Sequence, residues 1–141
     1  LIIYQALIEQ GVEAGLSKEM VNKTYEVLDA GIEALSFAEK NDVQIVYGTD
    51  LLGIMHPRQL EEFNLRSKVI EPLKLLQQAT VNASKLFSME DKIGQVKEGF
   101  NADLIVLNSN PLDKIECLTK PEKYLNHVIK GGNICFSNQL S

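Results

Sequence analysis

The sequence predicts an α/β fold followed by a small β piece. A helical repeat over residues 17–40 leads directly into residues 43–47, a short β-branched run that ends at Gly48. A strand that follows a long helix at once is typical of parallel α/β proteins. After residue 89 the helical repeats stop, and short apolar runs between turn-forming residues predict strands instead.

Composition limits the classes of protein to be considered. The chain has 141 residues, with 14 Lys and Arg against 19 Asp and Glu, which gives a formal net charge of −5. An acidic chain without a basic stripe is not expected to bind nucleic acid or an anionic membrane. No apolar run approaches the about 20 residues of a membrane span, and two cysteines, Cys117 and Cys135, make no disulfide framework. We therefore expect a cytoplasmic protein with reduced thiols.

The first elements are short. Residues 1–4 (LIIY) predict a β-strand, and residues 5–14 predict a weak helix that ends at Gly15. A chain terminus is usually polar and poorly ordered, so an apolar strand at the first residue leads us to expect a piece of a longer protein.

The helix over residues 17–40 gives the strongest periodic signal. Ser17 is a suitable N-cap, and Glu19 lies in the first turn, where the helix dipole favours an anion. Apolar residues then recur every three or four positions, at Val21, Tyr25, Leu28, Ile32 and Leu35. This spacing predicts an amphipathic helix.

Prolines begin two further predicted helices. After a loop over residues 49–55, a helix begins at Pro57, and Glu61-Glu62 within it is typical of a solvated helix face. Pro72 begins another helix, which the apolar spacing extends to Phe87.

Short strands are predicted beyond the helices. Residues 93–96 and 104–107 predict single strands, and residues 124–136 predict a hairpin that turns at Gly131-Gly132. Because the pattern changes from helical repeats to short apolar runs before these strands, we place a domain boundary near residues 88–91.

The best candidate for chemistry is Gly48-Thr49-Asp50, which follows the predicted strand at residues 43–47. Parallel α/β sheets and (β/α) barrels place their reactive groups at the carboxyl ends of strands. The glycine lets the backbone leave the strand sharply, so that Asp50 can direct its carboxylate toward an open site. An aspartate here can equally cap the following turn, and the local sequence leaves both interpretations open.

The histidines are few. His56 lies on the same loop as Asp50 and can contact a substrate, although a lone histidine at a helix entry is often structural. His127 falls in a predicted strand and is expected to be structural. Two histidines cannot supply the three or four protein ligands of a hydrolytic metal centre, and the sequence contains no H-x-H, H-E-x-x-H, C-x-x-C, G-x-S-x-G or P-loop motif.

Four stretches of the sequence occur in a specific order. They are residues 43–50 (VQIVYGTD), 79–86 (ATVNASKL), 93–107 (IGQVKEGFNADLIVL) and 127–132 (HVIKGG). In this order they resemble the eighth barrel strand, the helix after it, the G-x-[IV]-x-x-G-x-x-A-D signature and the closing hairpin of metal-dependent amidohydrolases. Ser84 stands where the family usually has alanine. Within the superfamily the resemblance is to imidazolonepropionase-like and Xaa-Pro dipeptidase-like members.

The resemblance implies a fold and a function. Residues 1–88 would be the carboxyl-terminal part of a (β/α)8 TIM barrel, and residues 89–141 the carboxyl-terminal strands of a small β-sandwich domain. The activity implied is hydrolysis of a C–N bond in a small peptide or cyclic amide with a divalent metal, expected to be Zn²⁺. Asp50 would be metal ligand and proton shuttle, and His56 a substrate-binding residue. The family's other ligands have no counterpart here, so the piece alone is expected to be inactive.

The expected partners are a small-molecule or dipeptide substrate, the remainder of the barrel and further copies of the chain. Association of copies is expected because an unpaired strand edge at residues 43–47 is a template for pairing. One alternative is a non-catalytic α/β module that binds a partner through an exposed sheet edge. Another is a phosphoryl-transfer protein that uses Asp50 as nucleophile or Mg²⁺ ligand, although the sequence has no glycine-rich phosphate loop. An H-x-H motif upstream of Leu1 in the reading frame would favour the amidohydrolase.

Overall fold

The structure, a computed structural model, describes residues 1–13 and 15–138. The α-helices are α1 (Ile2–Gln10), α2 (Lys18–Lys40), α3 (Glu62–Arg66), α4 (Pro72–Ala79), α5 (Val81–Leu86) and α6 (Pro121–Tyr124), with 3₁₀ helices at Gly53–Glu61 and Ile115–Leu118. The strands are β1 (Leu104–Leu107), β2 (Leu125–Lys130) and β3 (Asn133–Ser137). None of the described helices is both long enough and apolar enough to cross a membrane.

The chain divides into two compact units. The first comprises Leu1–Gln44 and Gly48–Ile70, and the second comprises Ile45–Tyr47 and Glu71–Ser141. The described elements of the first unit are helices, whereas the second combines helices with β1, β2 and β3. The chain is therefore a mixed helix and strand fold in which the described strands lie in the second unit.

The core of the first unit forms around α1. Ile2 and Ala6 are completely buried and belong to one apolar cluster with Leu51, Met55 and Leu65. Residues four apart lie on the same face of a helix, which brings Ile2 and Ala6 to the same core. Removal of these side chains from water is the main favourable contribution that this cluster makes to folding.

The predicted strand at residues 1–4 is wrong, because α1 begins at Ile2 and continues to Gln10. A strand needs a hydrogen-bonded neighbour, and the described part of the first unit contains no strand that could serve. A helix satisfies its backbone groups internally and still buries one apolar face. The weak helix predicted for residues 5–14 overlaps α1, and Ala14 lies outside the described residues.

The prediction of α2 is confirmed, including its cap. The Ser17 hydroxyl accepts a hydrogen bond from the Met20 amide at 3.2 Å. Glu19 lies in the first turn and Lys40 in the last, and both charges complement the helix dipole. Val21 is the buried residue of this helix, so most of the predicted apolar stripe is partly or fully exposed.

Residues 43–47 form no strand, and this prediction is also wrong. The Tyr47 amide donates a hydrogen bond to the Gln78 carbonyl at 3.0 Å, and Asn82 Nδ2 donates to the Ile45 carbonyl at 2.8 Å. β-branched residues favour a pleated strand, but that propensity acts only where a neighbouring strand is present. The described sheet holds only β1, β2 and β3, so the sheet edge expected at residues 43–47 is absent.

The helical stretches after residue 50 are more divided than predicted. The helix expected from Pro57 begins earlier, as a 3₁₀ helix at Gly53 with Pro57 inside it, and α3 follows. Pro72 occupies the first turn of α4 as predicted. The predicted continuous helix breaks at Thr80, where φ is −127° and ψ is −84°. The Thr80 hydroxyl donates to the Leu76 carbonyl at 2.7 Å, a bond that competes with regular helix geometry.

Residues 93–96 are not the strand that the sequence predicts. Gly94 has a φ of +89°, which is incompatible with a β-strand. A Cβ atom at Gly94 would lie 2.8 Å from Ser84 Oγ. The loop therefore approaches α5 so closely that only glycine fits.

The sheet of the second unit is antiparallel, with the strand order β1-β2-β3. The strand predicted at residues 104–107 is confirmed as β1. The predicted hairpin is confirmed as β2 and β3, and its turn residues Gly131 and Gly132 have φ angles of +54° and +81°. Such angles are typical of the turns that join two antiparallel strands. His127 lies within β2 and is half-buried.

Candidate functional site

Asp50 lies shortly before the 3₁₀ helix Gly53–Glu61. Its φ is +55°, a left-handed conformation that aspartate tolerates better than most residues. The residue is exposed, and its carboxylate makes no hydrogen bond or ion pair with the residues that the structure describes. Leu52 is the N-cap of the 3₁₀ helix, and no side chain caps it. Asp50 therefore presents an accessible carboxylate that is not used to cap the following turn.

On the carboxyl-terminal side of Asp50, a hydrogen bond joins His56 to Leu51. Leu51 is 5% exposed and packs in the core cluster with Met55. His56 Nε2 lies 2.7 Å from the Leu51 carbonyl oxygen, so Nε2 is the protonated nitrogen that donates to this oxygen. His56 itself is exposed. The histidine thus makes a bond that stabilises the loop next to Asp50.

Glu62 and Arg66 form a buried ion pair in the same unit. Glu62 is completely buried, and Arg66 is 7% exposed. Arg66 Nε donates to Glu62 Oε1 at 2.6 Å, and the Ile2 amide donates to Glu62 Oε2 at 2.6 Å. Arg66 Nη2 also donates to the Gly48 carbonyl at 3.2 Å. The pair therefore connects α1 and α3 to the backbone that precedes Asp50.

The prediction of a solvated face at Glu61-Glu62 is wrong for Glu62. Glu61 remains partly exposed, whereas Glu62 is enclosed together with its neighbours Phe63 and Leu65. The sequence does carry a signal for this pair, because Glu62 and Arg66 are four residues apart on a helix, which brings their side chains together. Spacing does not reveal whether such a pair is buried.

Arg58 connects the 3₁₀ helix to α1. Its guanidinium lies 2.7 Å from Glu61 and 2.7 Å from Glu9. The hydrogen bond to Glu61 and, to a smaller extent, the one to Glu9 raise the pKa of Arg58 above its ordinary value. The segment that carries His56 is therefore attached to α1 through a charged contact.

The described residues do not make a complete metal site. Within residues 1–13 and 15–138, no three His, Cys, Asp or Glu side chains lie close enough together to hold an ion. Hydrolytic metal centres commonly have three or more protein ligands. The chemistry of Asp50 suits one ligand of such a centre, because its exposed carboxylate has no other described partner. The remaining ligands would have to come from elsewhere.

An apolar cavity lies in the second unit. It has a volume of about 810 Å³ and is lined by residues of α4, α5 and β1, among others. Neither Asp50 nor His56 lines it. The cavity therefore adds no group to the candidate site.

Comparisons with known proteins agree on one family. Residues 3–135 match the model of the Amidohydrolase family. Ochratoxinase from Aspergillus niger is 35% identical over 122 residues, which cover 85% of this chain and 25% of that protein. The chain thus spans about a quarter of the length of this curated relative.

Solved structures match over nearly the whole chain. A prolidase complexed with N-methylphosphonate-L-proline is 34% identical with a TM-score of 0.86, and the match covers 96% of this chain and 33% of that chain. A Xaa-Pro dipeptidase with bound methionine in the active site is 25% identical with a TM-score of 0.78, covering 95% of this chain and 32% of that one. The α/β fold of the chain therefore matches a part, about one third, of these structures.

Proposed function

The chain belongs to the amidohydrolase family, and from that membership we propose that the full-length protein containing it is a metal-dependent hydrolase of C–N bonds. The proposed substrate is an Xaa-Pro dipeptide or a cyclic amide. The matches to a prolidase and to a Xaa-Pro dipeptidase favour the dipeptide. The observation that carries the proposal is the exposed carboxylate of Asp50, which no described residue binds, at the position where the family resemblance expects a ligand.

We propose that residues 1–88 belong to the (β/α)8 barrel and residues 89–141 to the β-sandwich domain. The position of β1, β2 and β3, all after residue 89, supports a separate β domain there. The compact units meet in sequence at Ile70 and Glu71, whereas the proposed boundary near residue 88 rests on the change of sequence pattern and on the family resemblance.

Asp50 is the residue to which we assign the chemistry. Amidohydrolases generally use a divalent metal, which we expect to be Zn²⁺ and which supplies Lewis-acid activation when bound. One oxygen of Asp50 would serve as a ligand. The carboxylate would also take a proton from the attacking water and pass it to the leaving nitrogen, which is general acid–base catalysis.

His56 is proposed to contact the substrate. Its Nε2 is engaged by the Leu51 carbonyl, so the nitrogen that remains for a substrate is Nδ1. This bond would orient the imidazole ring. We further propose a cytoplasmic protein whose partners are the remainder of the barrel and further copies of the chain.

The non-catalytic module is not proposed. It would bind its partner through an exposed sheet edge, and the match of residues 3–135 to the Amidohydrolase family favours a hydrolase instead. The phosphoryl-transfer alternative is likewise not proposed, because in the described parts of the chain no group of three or more His, Cys, Asp or Glu side chains could hold a metal ion.

The test compares the full-length protein loaded with Zn²⁺ with its Asp50→Asn variant. Wild type is expected to hydrolyse Xaa-Pro dipeptides or hydantoin-like rings, and Asp50→Asn to lower kcat/KM at least about 100-fold, the lower end of general acid–base contributions. Asp42→Asn is the matched control, since Asp42 also has a left-handed φ, of +53°. It should keep wild-type activity.

Two results would contradict these proposals. Wild-type activity in Asp50→Asn would remove Asp50 from the mechanism. Turnover by the 141-residue chain alone with added zinc, lost in Asp50→Asn, would contradict the proposed inactivity of the isolated piece.

A further inference from the structure

The buried pair of Glu62 and Arg66 takes no direct part in the proposed chemistry. Glu62 is completely buried, and burial removes a carboxylate from water at a large energetic penalty. Two apolar residues of similar volume often stabilise a core as well as or better than such a pair. The pair is therefore explained better by what its geometry specifies than by stability alone.

Hydrogen bonds connect the Glu62–Arg66 pair to the turn that contains Asp50. Arg66 uses one nitrogen, Nε, for Glu62 at 2.6 Å and another, Nη2, for the Gly48 carbonyl at 3.2 Å. A guanidinium can do this because its donors are fixed in one plane, whereas an ammonium group is a single point charge. Glu62 in turn accepts a hydrogen bond from the Ile2 amide of α1 at 2.6 Å. This bond fixes Glu62, and Glu62 fixes the position of Arg66.

The turn is held on both sides of Asp50. Arg66 binds the carbonyl of Gly48, two residues before Asp50, and His56 binds the carbonyl of Leu51, the residue after it. The left-handed φ of Asp50, +55°, is one that its neighbours must impose, since L-residues seldom adopt it alone. These contacts restrict the direction in which the carboxylate leaves the backbone.

We infer that Arg66, ordered by Glu62, is a positioning residue for the carboxylate of Asp50. This inference rests on the proposed role of Asp50 as a metal ligand. Groups that orient a ligand typically change metal affinity 10–100-fold when they are replaced. Arg66 acts through the Gly48 carbonyl and contacts neither metal nor substrate in this role.

The test measures Co²⁺ binding by the full-length protein, because the visible spectrum of this ion reports ligand geometry. Arg66→Lys keeps a positive charge beside Glu62 but lacks the second nitrogen that reaches Gly48. We expect its Co²⁺ dissociation constant to rise about tenfold or more, with an altered spectrum. Glu61→Gln is the matched control, since the ion pair of Glu61 is with Arg58. It should change neither quantity.

A double-mutant cycle separates positioning from a general loss of structure. In the Asp50→Asn background, Arg66→Lys should cause no further loss of Co²⁺ affinity, because the residue acts through Asp50. Full additivity in this cycle would overturn the inference. An unchanged affinity and spectrum in folded Arg66→Lys would do the same.

The remaining outcomes are also decisive. If Arg66→Lys does not fold by circular dichroism, Glu62→Gln is measured in its place, and failure of both variants to fold would make the pair purely structural. If Asp50→Asn binds Co²⁺ as wild type does, the proposed function fails. Faster hydrogen exchange at the amides of residues 49–52 in metal-free Arg66→Lys would still support positioning of the turn in that case.

Discussion

Asp50 combines an accessible carboxylate with an unfavourable backbone conformation. Its φ of +55° lies in the left-handed region, where the Cβ atom of an L-residue approaches the following carbonyl oxygen. Glycine would adopt this conformation without strain. A residue that keeps a side chain here is consistent with a site at which function outweighs local stability.

This strain can be measured by substitution. In urea unfolding of the full-length protein, Asp50→Gly should be more stable than Asp50→Ala by about 1 kcal/mol, because alanine keeps the Cβ clash. The greater entropy of glycine in the unfolded chain opposes this difference but is the smaller effect. Asp29 within α2 is the control. There the order should reverse, with Ala more stable than Gly by about 1 kcal/mol. If Asp50→Ala were also more stable than Asp50→Gly, the turn would be unstrained.

Asp103 illustrates a charge that stabilises a turn. It accepts a hydrogen bond from Lys130 Nζ at 2.8 Å and one from the Gly131 amide at 2.7 Å. Both hydrogen bonds lower the pKa of Asp103 below its ordinary value of 3.8, and the one from Lys130 has the larger effect. The same contact raises the pKa of Lys130 above 10.5. Both shifts favour the charged pair at neutral pH.

The lowered pKa of Asp103 predicts a dependence of stability on acid. A carboxyl whose folded pKa is depressed contributes fully above its unfolded pKa, 3.8, and loses that contribution as pH falls through the folded value. The difference in free energy of unfolding between wild type and Asp103→Asn should therefore be constant near neutrality and shrink below pH 3.8. Asp91→Asn, which leaves the Lys130 contact intact, is the control. A difference that grows on acidification would be the wrong sign.

At the scale of elements, the loop between α5 and β1 depends on two glycines of the family signature. Gly94 and Gly99 have φ angles of +89° and +84°. A Cβ at Gly94 would meet Ser84 Oγ at 2.8 Å and the Thr80 carbonyl oxygen at 3.0 Å, whereas a Cβ at Gly99 would meet nothing within 4 Å. Gly99 is thus required by conformation alone, and Gly94 by conformation and packing together.

The two glycines make a matched pair for a stability measurement. Gly99→Ala should lower the free energy of unfolding by about 1–2 kcal/mol, the cost of a left-handed L-residue. Gly94→Ala should lower it by about 1–3 kcal/mol more, because the added methyl overpacks the contact with α5. Urea unfolding of both variants gives the difference. Equal losses would mean that α5 moves away at no cost.

At the scale of the whole molecule, much apolar surface is exposed. Among the described residues, large apolar side chains with more than two thirds of their surface exposed include Phe37, Leu52, Ile54, Phe87 and Val96. Burial of such side chains against other protein would remove apolar surface from water, which is favourable. The strand edge predicted at residues 43–47 is absent, so exposed side chains take its place as the reason to expect association.

The isolated 141-residue chain is therefore expected to self-associate. Sedimentation velocity should show a mass that rises with protein concentration, since burial of exposed apolar side chains favours contact between copies. A variant with Ile54→Ser and Val96→Ser, which replaces side chains that are 86% and 87% exposed, should associate less. A monodisperse monomer with a cooperative thermal transition would contradict this expectation.

The sequence by itself determined those features whose causes are local. Ser17 caps α2 through an amide three residues away, Pro72 begins α4, and Gly131-Gly132 turns the hairpin. Each depends on a cap, a proline or a left-handed glycine, whose effect reaches only a few residues along the chain. The order of the four family stretches likewise predicted the Amidohydrolase family match.

Only the tertiary structure decided whether apolar or charged stretches found partners. Residues 1–4 and 43–47 have strand-like composition, but neither pairs with a strand in the part of the chain that the structure describes. Residues 2–4 therefore belong to α1, and residues 43–47 are irregular. Glu62 is buried because the Ile2 amide, 60 residues earlier, and Arg66 satisfy its oxygens. A hydrogen bond across such a separation depends on how the whole unit packs, and no local pattern in the sequence encodes it.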